Sequence, residues 1–250
     1  MTLAEPLLLL VAGVAAGLAG TVAGLASLVS YPALLATGMP ALSANVTNTV
    51  ALVFGGVGAA AGSKRELTGQ GGRVRRYLAL TAAGGVTGSV LLLVTPPGAF
   101  ELIVPWLVAG SSVVLLLQPR LRSLRPEGLG ETNPAVMLAV FAIAVYGGYF
   151  GAAAGVLMLA LLATGLGETL VRANALKNVI LAVANGVAAL GFAVFGPVHW
   201  LVAVPLAAGF LIGGRLGPVV ARRIPAHVLR TAIAVGGLGL AVRLWTVATG

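Results

Sequence analysis

Cysteine is absent from the chain, and so is aspartate. The first absence excludes disulfides, thiolate nucleophiles and cysteine-held metals. Glutamates number six and histidines two, too scattered for a carboxylate pair or an HExxH-type metal site. No metal site, cofactor or catalytic constellation is expected, and the chain is read as something other than an enzyme. Charge of either sign is also scarce. Only 8% of the 250 residues are charged, whereas a soluble domain carries roughly 25%. Pro6 to Ala44 holds no Glu, Lys, Arg, His, Asn or Gln, and Pro134 to Gly167 holds none either. Each run exceeds the roughly 20 residues that cross a bilayer.

What remains is apolar: 59% of residues, with a mean hydropathy of +1.05. The runs are rich in alanine, glycine and leucine and lack the alternation of a membrane β-barrel, so the spans are helical. The fold class is an all-α polytopic membrane protein. The first apolar stretch has no basic leader and runs past the length of a signal-peptide core, so it is expected to stay as a membrane segment.

Glycine and proline punctuate the chain. A first region over 6–38 is interrupted by Gly20, Gly24 and Pro32. Helices are expected at 43–62, 77–95 and 100–118, then a linker over 119–133. A second broken region over 134–166 follows, then helices at 171–195, 200–219 and 226–247. This divides the chain into a first membrane repeat (1–118), a cytoplasmic linker (119–133) and a second membrane repeat (134–250), within one membrane domain.

The formal charge of +9 sits in loops, which argues for membrane orientation and against nucleic-acid binding. Lys64, Arg65, Arg73, Arg75 and Arg76 form one cluster; Arg120, Arg122 and Arg125 a second; Arg215, Arg222, Arg223 and Arg230 a third. The turns Thr95–Gly98 and Phe195–Val198 carry no charge. Positive loops stay on the cytoplasmic side, so the three clusters share that face. An odd number of crossings must then separate the linker from the turn at Phe195. The count balances if 134–166 is a hairpin entering and leaving on one side, or a pair of short crossings. The same holds for 6–38, and both termini then face outside.

An internal repeat gives a second line of argument. Gly17, Gly20 and Gly24 match Gly148, Gly151 and Gly155 at one offset. ALLATG occurs at Ala33–Gly38 and at Ala160–Gly165, Asn45 matches Asn174, and Thr49 matches Asn178. GGVTG at Gly84–Gly88 matches GGRLG at Gly213–Gly217. Landmarks in the same order, with odd crossings per half, describe two inverted repeats, each opening with a broken or re-entrant helical hairpin, in about eight membrane helices.

An amide inside an apolar run needs a partner. Asn45 and Thr49 are four residues apart and share a helical face, as do Asn174 and Asn178. A lone asparagine there could simply cap or glue helices. Broken helices paired across inverted repeats, however, are a recurring transporter binding site. The candidate substrate-binding residues are Asn45, Asn48, Thr49, Asn174, Lys177 and Asn178. Gly20, Gly24, Gly151 and Gly155 are candidates for hairpin turns or close packing. Lys177 lies within an apolar span, where it either snorkels or attracts an anion; Arg215 is a further positive candidate. Glu168 is placed to partner Arg172.

The stretches GLAGTVAGLASLVSYPALLATGMPALSANVTNTVA (Gly17–Ala51) and GYFGAAAGVLMLALLATGLGETLVRANALKNV (Gly148–Val179) resemble the sulfite exporter TauE/SafE family, the TSUP membrane permeases. The resemblance covers nearly the whole chain. It implies a secondary permease in a bacterial or archaeal cytoplasmic membrane, carrying small sulfur-containing anions such as sulfite, thiosulfate or organosulfonates. The first cluster has Ala26 and Ser27, and the second Ala152 to Ala154, where the family is richer in glycine. The expected partners are a small anionic substrate and membrane lipid. A channel, a non-transporting membrane protein or an intramembrane enzyme are the alternatives.

Overall fold

The computed structural model describes residues 4–123, 129–220 and 226–249. Among these there is no strand, and ten helices follow in order: α1 (Ala4–Ala23), α2 (Ala26–Ala36), α3 (Ala41–Gly62), α4 (Gly71–Val94), α5 (Pro97–Ser123), α6 (Pro134–Tyr149), α7 (Ala154–Gly165), α8 (Leu170–Phe195), α9 (Trp200–Val220) and α10 (Ala226–Thr249). Segments of α1, α3, α4, α5, α8 and α9 are long and apolar enough to cross a bilayer. The protein is an all-helical, multi-pass membrane protein. By contrast, α2 and α7 have 11 and 12 residues. They rise only about 16 and 18 Å, against a hydrocarbon core of roughly 30 Å.

Two boundaries differ from the sequence reading. α4 begins at Gly71 rather than near 77, so Arg73, Arg75 and Arg76 are helical. α5 runs through Pro119 to Ser123 and takes in the first residues of the segment read as a linker. Hydropathy marks where a helix meets lipid, and the backbone continues helical beyond that point. Arg125 and Glu127 of the linker lie outside the described residues, as do Arg222 and Arg223 and the side chains of Arg122, His227 and Arg230.

Both broken regions bend at a glycine with positive φ, Gly24 at 79° and Gly151 at 77°. That backbone is cheap only without a Cβ. The sequence paired Gly24 with Gly155; the bends instead pair Gly24 with Gly151, 127 residues apart, the spacing of the two ALLATG stretches. The second bend is wider, because Ala153 also has a positive φ of 62°. A left-handed alanine is costly, and the Tyr146 and Ser111 hydroxyls hold the strained stretch by donating to the Ala152 carbonyl at 2.6 and 2.9 Å.

Small residues set how the helices pack. A Cβ built on Gly13 would lie 2.3 Å from the Leu206 carbonyl oxygen, and one on Gly213 would lie 2.2 Å from that of Val14. Thr21 meets Gly217 further along, so α1 and α9 run parallel at near backbone contact. α4 and α6 do the same: Gly84 faces Phe141 and Ala144, and Gly88 faces Val145 and Gly148. Small residues one turn apart are how membrane helices approach closely, since the lipid offers no hydrophobic drive between them. α3 and α8 are antiparallel, with Gly56 against Ala182 and Val46 against Gly196.

One end of the bundle is charged. Arg73 pairs with Glu131 at 3.0 Å and with Glu168; Arg76 pairs with Glu131 at 3.1 Å and Arg172 with Glu168 at 3.0 Å. The expected Glu168–Arg172 pair is therefore present. The hydrogen bond from Arg73 and its charge hold the Glu168 carboxyl below the usual carboxylate range, against the opposing cost of partial burial. Glu131 precedes α6 and Glu168 follows α7, yet both bind Arg73. The two ends of α6–α7 therefore lie at the same end of the bundle. At the opposite end, the His199 backbone N–H donates to Thr47 at 3.1 Å, tying the uncharged turn at 196–199 to the start of α3.

Candidate functional site

Asn45, one turn into α3, is 1% exposed and donates through Nδ2 to the Tyr149 carbonyl at 2.9 Å. Tyr149 is the last residue of α6, so this bond covers a carbonyl that the interrupted helix leaves without an internal donor. Asn174, near the start of α8, donates to the Thr21 carbonyl at 3.0 Å, close to the end of α1. Each asparagine thus anchors the broken helix of the other half. Thr49 donates back to the Asn45 carbonyl at 3.0 Å. Asn45, Thr49 and Asn174 do not reach a common cavity.

Asn48 faces its own half. Its Oδ1 accepts from Ser30 Oγ at 2.5 Å, and its Nδ2 donates to Ser27 Oγ at 3.2 Å. The second bond occupies a lone pair on Ser27 and leaves that hydroxyl's proton for another acceptor.

Lys177, the residue on α8 that matches Asn48, is 2% exposed, and its ammonium donates to the Gly20 carbonyl at 3.2 Å. It is buried, with its ammonium turned to the end of α1. Asn178 beside it is 7% exposed, and its Nδ2 has no acceptor among the described residues. An unsatisfied buried donor costs about 1–3 kcal/mol, so this amide calls for an acceptor that the described residues do not supply.

Both residues line a cavity between the halves. Its wall includes Thr21, Ser27, Lys177, Asn178 and Asn185, together with Gly20, Gly24, Gly151 and Gly155. The space open to the centre of a water molecule is about 80 Å³, and roughly 10–15 Å³ on that scale holds one water. Room exists for a small solute. Gly24 and Gly155 touch on this wall: a Cβ on Gly155 would fall 2.6 Å from the Gly24 Cα, and one on Gly24 would fall 2.5 Å from the Gly155 carbonyl carbon. Sequence reasoning missed Ser27 and Asn185. Asn185 gave a usable signal, an amide in the middle of an apolar helix. Arg215 is exposed on α9 and does not line the cavity.

The wall, as its described residues give it, combines an ammonium, amides and two hydroxyls with no carboxylate, and that donor set suits an anion. Among the described residues no group of three or more His, Cys, Asp or Glu could hold a metal ion.

The comparisons with known proteins agree with a transport role. The family model for Sulfite exporter TauE/SafE matches residues 9–244, and the chain belongs to that family of membrane transporters. It is 28% identical over 194 residues to the Probable membrane transporter protein YfcA of Escherichia coli, covering 76% of this chain and 71% of that protein. It is 26% identical over 242 residues to the Probable membrane transporter protein ORF9 of a Sinorhizobium species, covering 94% and 90%. A Probable membrane transporter protein of Haemophilus influenzae is 27% identical over 191 residues, 76% of this chain and 74% of that protein. No solved structure matches the chain.

Proposed function

We propose that the protein is a secondary carrier of small sulfur-containing anions such as sulfite, thiosulfate or organosulfonates, which bind in the cavity between its halves. The observation that carries this reading is Asn178 Nδ2, a buried donor on the cavity wall beside Lys177 that finds no acceptor among the described residues. Lys177, Asn178 and Ser27 contact the anion, Asn48 orients Ser27, and Asn45, Thr49 and Asn174 hold the broken helices that frame the site. The carrier has no catalytic residue and no cofactor.

The architecture that suits such a carrier is a pair of inverted repeats, 1–118 and 134–250, joined by a cytoplasmic linker and counted as about eight membrane helices. Support comes from packing that recurs in both halves: α1 on α9 and α6 on α4, with Asn45 and Asn174 bonding across. Each half then has three full crossings and one helical hairpin, α1–α2 or α6–α7, that enters and leaves on one side. The hairpin reading of α6–α7 is favoured over a single crossing because Arg73 binds carboxylates beyond both its ends. With the charged end cytoplasmic, both termini face outside the cytoplasmic membrane.

Flux in proteoliposomes tests the function. Sulfite and thiosulfate uptake should saturate, and preloaded unlabelled anion should drive counterflow of labelled anion. Flux without counterflow would identify a channel, and no flux of any sulfur anion would remove the carrier reading altogether.

A further inference from the structure

We infer that the cavity has a second subsite at Asn185, which favours sulfonates with a short carbon link and a terminal hydroxyl; the inference rests on the carrier reading. Asn185 lies in the middle of α8, an apolar crossing helix, and lines the cavity. An amide inside a membrane span needs a partner. Asn45, Asn48 and Asn174 each find one within the chain. The Asn185 side chain makes no hydrogen bond among the described residues. It is half-buried on the cavity wall, open to a solute.

Spacing along α8 defines that solute. Asn185 is seven residues beyond Asn178, close to two whole turns, so both side chains leave one face about 10.5 Å apart. Leu181 and Ala182 stand between them on the same wall. The facing stretch of α3 supplies Leu52, Gly55, Gly56 and Ala59, none with a hydrogen-bonding side chain. Gly56 is the residue that matches Asn185 in the repeat, so this contact occurs once. Thr21 is committed to the Gly17 and Gly214 carbonyls. An anionic head at Asn178 and Ser27 therefore continues past an apolar stretch to a polar end at Asn185. Two hydrogen bonds of about 2.9 Å each leave roughly 5 Å of the separation, which a two-carbon link between polar atoms spans. A terminal hydroxyl both donates and accepts, and so matches both functions of the amide. Sulfite and thiosulfate have no such tail and are held at the head subsite alone.

The test uses the purified full-length protein in detergent, with binding read by calorimetry at fixed ionic strength so that screening stays constant. The probes are 2-hydroxyethanesulfonate, 1-propanesulfonate, in which a methyl replaces the hydroxyl, and methanesulfonate, which has the head alone. The hydroxyl compound should bind about tenfold more tightly than 1-propanesulfonate, the worth of one hydrogen bond to an amide otherwise left unpaired. Burial of the methyl by itself would favour the opposite order. Asn185→Ala and Asn185→Leu should each remove the preference. The wild-type ranking needs no variant, so poor folding of either leaves the test intact. Equal affinity for the two compounds in the wild-type protein would overturn the subsite while leaving a carrier of sulfur anions standing. A preference that survives in a folded variant would overturn its assignment to Asn185. Absence of binding by all three, together with absence of sulfur-anion flux, would overturn the carrier reading as well.

Discussion

Asn45 and Asn174 do one task on two helices, whereas the matching residues three positions further on, Asn48 and Lys177, do different ones. Both outer asparagines donate to a backbone carbonyl near the end of the other half's broken helix. Asn48 then closes on two serines of its own half, while Lys177 reaches Gly20 across the cavity. Frame and chemistry have parted company here. The parts that hold the bends match in the two halves; the part that carries charge occurs once. A frame built from backbone contacts constrains both halves alike, but a second buried cation would change the charge of the site.

Substitutions at the shared contact should break the frame outright. Gly24→Leu or Gly155→Leu drives a side chain into the facing backbone, and at Gly24 also into a left-handed conformation. Overpacking and backbone strain each cost about 1–3 kcal/mol, so neither variant should yield a monodisperse peak on size-exclusion chromatography. Normal yield and melting temperature from both would show that the contact is dispensable.

Making the halves alike in charge is the next largest change. Lys177→Asn should weaken anion binding by about ten- to a hundredfold, the worth of one charge-assisted hydrogen bond, while the protein still folds. The reference is wild-type calorimetry under the same salt. Unaltered affinity would return Lys177 to a structural role.

The anchors should behave as a matched pair. Asn45→Ala and Asn174→Ala should each lower stability by about 1–3 kcal/mol through an unsatisfied buried carbonyl, seen as similar drops in melting temperature. Affinity should move less than in Lys177→Asn. A loss of binding at unchanged stability would place these amides on the ligand instead.

Acid should produce the smallest effect, and only at the charged end. Glu168 has a lowered carboxyl, so its contribution is present above the ordinary carboxylate value and is lost as pH falls through the lowered one. Partly exposed pairs contribute up to about 1 kcal/mol. Thermal melts over this acid range should show a shallow decline that Glu168→Gln reduces, with Glu131 supplying the remainder. An equal slope in that variant would assign the decline to other groups.

The spans were legible because charge is missing from long stretches, and the bends because glycines interrupt them. The basic loops also carried enough information to demand that 134–166 return to its own side, and Arg73 bonding at both its ends agrees with that. The roles of Asn45 and Asn174 were less legible. Their partners lie 104 and 153 residues away in the chain, and an amide in an apolar run looks the same whether it meets a ligand or a carbonyl. The glycine register misled for a related reason. With glycine every three or four residues, several offsets fit the letters, and only backbone φ identifies which glycine turns. Ser27 carried no signal, since its orientation depends on Asn48, on a different helix.

The contact between Gly24 and Gly155 has a mechanical consequence. A bend at Gly24 and the first turn of α7 at Gly155, meeting backbone to backbone, have no side chain between them to act as a cushion. Protein interiors are close-packed and compress little, so a push on one passes to the other with little loss. The pair works as a single fulcrum on which both short-helix arms rest. One arm cannot swing through this point unless the other gives way, so the two short helices are coupled at a single contact.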